Sequence, residues 1–260
     1  MRRTAAAAAA ALLLLPAGCG WGGTDGDGDE GTTLTVLAAS SLTDVFEELA
    51  ADFEAEHEGV DVELVFGSST DLAEQAADGA PVDVLATADR ESMTIAVEAG
   101  AIGNYGPFAS NELVLVTPDA NPAGITSLDD LDGATWVRCA DEAPCGKVAV
   151  AVLAANDFDA EPASLEEDAR TTLDKVVAGE ADAALVYASD ARSAGDDVTT
   201  VRIPGSAQHR ATYLIGTPTV MVADEDASPG GGELLAQEFL LLVLGETGRA
   251  VLADAGFGLP

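Results

Sequence analysis

The chain has 260 residues, with 46 Asp and Glu against 11 Lys and Arg, a formal net charge of −35, and 48% hydrophobic residues of which few are aromatic. That aliphatic content excludes a disordered polyelectrolyte, and the scarcity of cations, with Lys147 and Lys175 the only lysines, excludes nucleic-acid binding by phosphate neutralisation. An acidic, lysine-poor surface suits work in strong salt, where screening suppresses self-repulsion, and the length suits one large domain or two smaller ones.

In chain order, residues 1–18 have the form of a signal peptide: Arg2 and Arg3, an apolar run from Ala5 to Leu15, then the small residues Ala17 and Gly18. The run is too short to span a bilayer. Small residues followed by Cys19 resemble a lipobox, in which that cysteine is lipidated, although Pro16 stands where such motifs usually carry Leu. Residues 19–31 are Gly- and Asp-rich and read as a tether. The calcium-loop reading of Asp25, Asp27 and Asp29 fails because Glu30 and Val36 occupy the positions that need Gly and a bidentate Glu.

From residue 32 the pattern alternates. Strands are predicted at 33–38, 60–66, 82–87, 112–116, 135–139, 183–187, 198–203 and 213–222. Helices are predicted at 42–57, 72–77, 90–99, 146–156, 166–178, 233–244 and 247–254. Alternation of this kind argues for an α/β architecture with parallel sheets covered by helices, and so many strands argue for two lobes rather than one sheet. In such sheets ligands bind beyond the carboxyl ends of the strands.

Two of those strand ends carry hydroxyl pairs at a helix start: Ser40-Ser41, with Asp44 placed for a capping box with Ser41, and Ser68-Ser69 in GSST. Helix N-termini with unpaired N–H groups and short hydroxyls can form an anion site; ordinary capping is the alternative. Asp71, two residues beyond Ser69, is compatible with an anion only if its side chain turns away. Cys139 and Cys145 flank the loop ADEAP, and in an exported chain they are expected to pair as a disulfide, with two buried thiols as the alternative. Arg138 and Arg170 are expected in ion pairs, Trp136 and Phe158 in the core, and His57 on the surface. G-x-S-x-G and nucleotide fingerprints are absent and neither His57 nor His209 has a triad context, so an enzyme, for example a secreted serine hydrolase, is disfavoured and no cofactor is expected.

The segments VLAASSLTDVFEELAADFE, FGSSTDLAEQAADGAPVDVLATAD and LVYASDA, in this order and spacing, resemble the periplasmic molybdate-binding proteins of molybdate ABC transporters. The resemblance implies a two-lobed, type II periplasmic-binding-protein fold, each lobe a mainly parallel sheet flanked by helices, with the ligand in the interlobe cleft. Lobe 1 would be residues 32–110, with about 213–260 returning to it, and lobe 2 residues 111–212. Position by position, the resemblance implies an oxyanion held by the hydroxyls and N–H groups of Ser41 and Ser69, the N–H groups of Cys145 and Ala169, and the phenol of Tyr187. It further implies molybdate or tungstate as ligand and the permease subunits of an ABC transporter as partners. Membrane attachment through Cys19 is expected from the lipobox-like residues, with an ordinary secreted protein as the alternative, and a monomer is expected. Sulfate or another oxyanion is the alternative ligand. Since molybdate is a fully deprotonated dianion, a site of donors alone suits it, whereas protonated phosphate would require an acceptor.

Overall fold

The computed structural model describes residues 31–219 and 231–260. The signal peptide, Cys19, nearly all of the tether, and residues 220–222 of the last predicted strand lie outside the described residues.

The first half builds three strand–helix units: β1 (Thr32–Ala39) and α1 (Thr43–Glu56), β2 (Val60–Gly67) and α2 (Ser69–Ala77), β3 (Val84–Thr87) and α3 (Arg90–Glu98). Then β4 (Asn104–Asn111) runs directly into β5 (Leu113–Pro118). Three further units follow: β6 (Trp136–Cys139) and α4 (Pro144–Ala155), β7 (Ser164–Glu166) and α5 (Ala169–Val177), β8 (Ala183–Tyr187) and α6 (Ala188–Ser193). The chain closes with β9 (Val198–Arg202), β10 (Ala211–Thr217), α7 (Gly231–Leu244) and α8 (Glu246–Asp254).

Two five-stranded sheets result, ordered β2-β1-β3-β10-β4 and β7-β6-β8-β5-β9. Four strands of each share one direction, but the fifth, β10 or β5, lies inside its sheet and pairs antiparallel on both sides. Each sheet is therefore mixed, a refinement of the mainly parallel expectation. The reversed strands are the two that arrive from the opposite sheet. A strand leaving one sheet at its carboxyl edge enters the other from that sheet's carboxyl edge, so it must run against its new neighbours.

The elements absent from the sequence prediction have local causes. β4 contains Gly106 and Pro107, which disfavour a strand interior, yet it is an edge strand where a missing N–H is tolerated. The register against β10 shifts between Tyr213 and Leu214, whose partners are Ala109 and Pro107, so Phe108 is bulged out of the ladder. β7 has only three residues, and α6 only six, both too short to show periodicity.

The core is richest where the aromatics gather. Val45, Phe46, Leu49 and Phe53 form the buried face of α1. Phe46 packs edge-on against Phe108 and Phe239, and Phe108 against Tyr213, which also meets Phe257 and, across the sheets, Tyr187. Trp136 is buried against the partly buried Phe158. Packing of this kind fixes ring positions to within the tolerance of a close-packed interior, which bears on the two tyrosines below.

Candidate oxyanion site

The carboxyl edges of both sheets face one small cavity. Its walls come from Ala39, Ser40 and Ser41 after β1, Gly67, Ser68 and Ser69 after β2, and Ala88 after β3. The other sheet supplies Ala143, Pro144 and Cys145 after β6, Asp168 and Ala169 after β7, and Tyr187 at the end of β8. All five predicted ligand positions, Ser41, Ser69, Cys145, Ala169 and Tyr187, are thus brought together. The cavity is small, with about 10 Å³ open to the centre of a water-sized sphere, the scale of a compact ligand.

Helix starts supply the donors. α2, α4 and α5 all begin at this cavity, and a 3-10 turn at Ser40–Leu42 precedes α1. The first helical bonds are made by the N–H groups of Leu72, Lys147 and Thr172, which leaves the N–H groups of Ser69, Cys145 and Ala169 without intrahelical acceptors. Three helix N-termini converging on one point each contribute up to about half a positive charge. Among the described residues no Lys, Arg or His lines the cavity.

The Ser41 capping box does not form. Its Oγ lies 2.7 Å from the hydroxyl of Tyr213, Ala39 and Leu42 cap without side chains, and the Asp44 carboxylate instead meets Arg170 at 3.0 Å. Two long-range partners outcompete the local motif, so the N–H groups at this turn stay open. Ser69 Oγ accepts the Ala88 N–H at 2.9 Å. The Tyr187 hydroxyl, on a residue only 1% exposed, has no hydrogen-bond partner among the described residues. Burial pushes its pKa well above that of an ordinary phenol, with the nearby Tyr213, Asp190 and Asp89 adding to the effect, so it stays a donor at any physiological pH.

Two carboxylates need account. Asp71 is exposed, as an anion site requires. Asp168 lines the cavity, but its carboxylate caps α5 by accepting the Thr171 N–H at 2.9 Å and the Thr171 hydroxyl at 3.1 Å. Behind the wall, Asp190 accepts the Tyr187 N–H at 3.0 Å. Burial, followed in effect by the pull of that N–H and Arg170 and the push of Asp168 and Asp44, leaves its pKa raised to about 7.

The α4 start is anchored twice. Cys139 and Cys145 are joined as a disulfide with Cα atoms 5.7 Å apart, and Gly146 is pressed so closely on the Ala140 carbonyl that a Cβ has no room. Buried Arg138 donates to the Cys139 carbonyl at 2.8 Å and pairs with Asp141. Around the cavity, contacts of three side chains join the lobes: Thr70 Oγ1 donates to the Glu142 carbonyl at 2.8 Å, Lys147 meets Asp89 and Glu91 at 3.0 and 3.1 Å, and Arg170 meets Asp44. A larger groove of about 390 Å³ opens nearby between α1, α6 and α8 and shares Ser41, but Asp44, Glu48 and Asp254 outnumber Arg192 in its wall and oppose an anion.

The sequence model of the bacterial extracellular solute-binding proteins matches residues 34–258. The chain belongs to that family. It is 35% identical over 231 residues to the molybdate-binding protein ModA of Mycobacterium bovis, spanning 88% of this chain and 85% of the relative. Among solved structures, the periplasmic molybdate-binding protein of Azotobacter vinelandii aligns with a TM-score of 0.68 at 20% identity, covering 87% of this chain and 99% of the other. The sulfate-binding protein SubI of Mycobacterium tuberculosis aligns with 0.72 at 20% identity, covering 87% and 86%. These likenesses establish the type II periplasmic-binding-protein fold for this solute-binding protein.

Sequence reasoning missed the groups behind the donors. Tyr213, Asn111 and Ala88 make contacts to the serines or to one another over long separations, and no local signal marks them. Asp168 was legible in principle, as an acid directly before a helix with Thr171 three residues on, the spacing of a capping pair.

Proposed function

We propose that this protein is an extracytoplasmic binding protein that captures molybdate, or the similar tungstate, and delivers it to the permease of an ABC transporter. The observation that carries the reading is the Tyr187 hydroxyl: a buried phenol without a partner among the described residues, on the wall of a cavity where helix starts and serine hydroxyls also gather. A buried polar group left unmatched is costly, and an oxyanion supplies the acceptor it lacks. The names of the relatives point to the same ligand.

Ligands would come from Ser41, Ser69, Cys145, Ala169 and Tyr187, three of them from lobe 2, so a bound anion bridges the lobes and favours closure. Binding and release, without a reaction, is the proposed activity. Neither His57, which meets Glu238 at 3.0 Å, nor His209 lines the cavity among the described residues, so neither serine has a histidine base beside it. The proposed protein is a monomer, exported by residues 1–18 and held at the membrane through Cys19. Among the described residues no helix is long and apolar enough to cross a membrane.

Sulfate is the competing ligand, since it has the same charge and shape and the fold is shared with a sulfate-binding protein. Titration calorimetry with molybdate, tungstate, sulfate and phosphate tests the reading. Tight binding of molybdate with no heat from sulfate is the expected result; the reverse order would assign the site to sulfate.

A further inference from the structure

The orientation of the serine hydroxyls can be worked out from the groups behind them, starting at the strand that crosses between the lobes. Asn111, 2% exposed, is the last residue of β4, and its Oδ1 accepts the Glu112 backbone N–H at 3.0 Å. A backbone N–H can only donate, so that end of the amide is the oxygen and the other end is the NH2 group. The NH2 group donates to Ser189 Oγ at 2.8 Å. Burial raises the pKa of the Tyr213 phenol, while the Asn111 side chain acts to lower it, which is the effect of a donor and not of an acceptor.

An amide NH2 cannot accept, so the fully buried Tyr213 hydroxyl cannot donate back to Asn111. Its one acceptor among the described residues is Ser41 Oγ, 2.7 Å away. Ser41 therefore accepts from Tyr213, and its own hydrogen is left for the cavity. Ser69 has the same polarity, because the Ala88 N–H donates to its Oγ. Each serine has a donor behind it and a donor in front.

We infer that a one-way hydrogen-bond relay, running from the interlobe strand through Asn111 and Tyr213, locks Ser41 as a donor and so sets the preference of the site for fully deprotonated oxyanions. This rests on the oxyanion reading given above and adds a residue to it: Tyr213 is a positioning residue for selectivity, acting through Ser41. A serine released from the relay can rotate and present a lone pair, and a lone pair is what the O–H of hydrogen phosphate requires.

The test compares affinities for molybdate and, by displacement, hydrogen phosphate in the full chain at pH 8, where both are predominantly dianions. Tyr213→Phe keeps the ring and its edge-on contacts with Phe108, Tyr187 and Phe257. The expected result is molybdate binding weakened about fivefold, the scale of one net hydrogen bond, with hydrogen phosphate not weakened, so that the ratio narrows by a similar factor. Equal losses for both anions would mean Tyr213 serves packing alone and would overturn the relay. Asn111→Asp gives a second reading that does not depend on the first variant folding. A carboxylate there accepts from Tyr213 and reverses the relay, while its added charge opposes both dianions alike, so the ratio again narrows. Molybdate binding by the unaltered protein, with ratios unchanged in both variants, overturns the relay and leaves the proposed ligand standing. No molybdate binding by the unaltered protein overturns both.

Discussion

Replacing Tyr187 by Phe should move binding and stability in opposite directions. The ring stays, with its edge-on contact to Tyr213 at 6.0 Å, and only a hydroxyl without a partner among the described residues is removed. Without anion the variant should be no less stable than the parent and up to about 1 kcal/mol more stable, since an unmatched buried polar group is lost. In a chain of this size that corresponds to a rise in Tm of about 2–4 °C. With molybdate the order reverses. A hydrogen bond to a charged partner contributes about 1.5–3 kcal/mol, so affinity should fall by roughly tenfold or more. At an anion concentration of about 100 times the parent's Kd, the parent gains about 2.7 kcal/mol from binding; a variant binding tenfold more weakly gains about half of that. Thermal melts with and without molybdate, alongside calorimetry, read both effects. A variant that melts several degrees lower without anion yet binds molybdate like the parent would show that the hydroxyl supports the fold and would refute the reasoning.

Three further outcomes are expected. Asp190, with its pKa raised to about 7, holds its proton more tightly folded than unfolded. Its contribution is therefore fully present below about pH 4 and is lost as pH rises through about 7, on the order of 4 kcal/mol for a shift of some three units. Asp190→Asn should remove that part of the pH dependence; parallel melting profiles from pH 5 to 8 for parent and variant would contradict it. Burial alone lowers the pKa of Lys147, but Asp89 and Glu91 outweigh it and leave the pKa raised, as expected of a cross-lobe ion pair. Lys147→Met should cost the closed state about 1 kcal/mol and speed molybdate release about fivefold in stopped-flow, and an unchanged off-rate would remove the pair from the closing mechanism. At a formal charge of −35 the protein repels a dianion at long range, so association should accelerate as salt shortens the Debye length from about 30 Å at 0.01 M to about 3 Å at 1 M. A salt-independent on-rate would show that long-range repulsion is immaterial.

Much of the fold was legible because its signals are local. The 3.6-residue spacing of Val45, Phe46, Leu49 and Phe53, the short apolar strands, and the hydroxyl pairs directly after two of them all lie within a few residues of what they specify. Hence Ser41 and Ser69 could be picked out as ends of elements, and Cys145, Ala169 and Tyr187 by their place in a family pattern. Elements that contradict local propensity were not legible: β4 survives Gly106 and Pro107 only because it lies at a sheet edge beside β10, whose partnership with it is remote in sequence.

By itself the sequence determined the alternation of strands and helices and which turns carry donors. Tertiary structure decided who stands behind those donors. Ser41 and Asp44 have the spacing of a capping box, yet Tyr213 takes the first and Arg170 the second. Lys147 finds Asp89 and Glu91, one choice among 46 acidic residues that no spacing rule could single out. Hydrogen bonds and ion pairs at such separations depend on where two sheets come to rest against each other, and that is set by the packing of the whole core rather than by any stretch of chain.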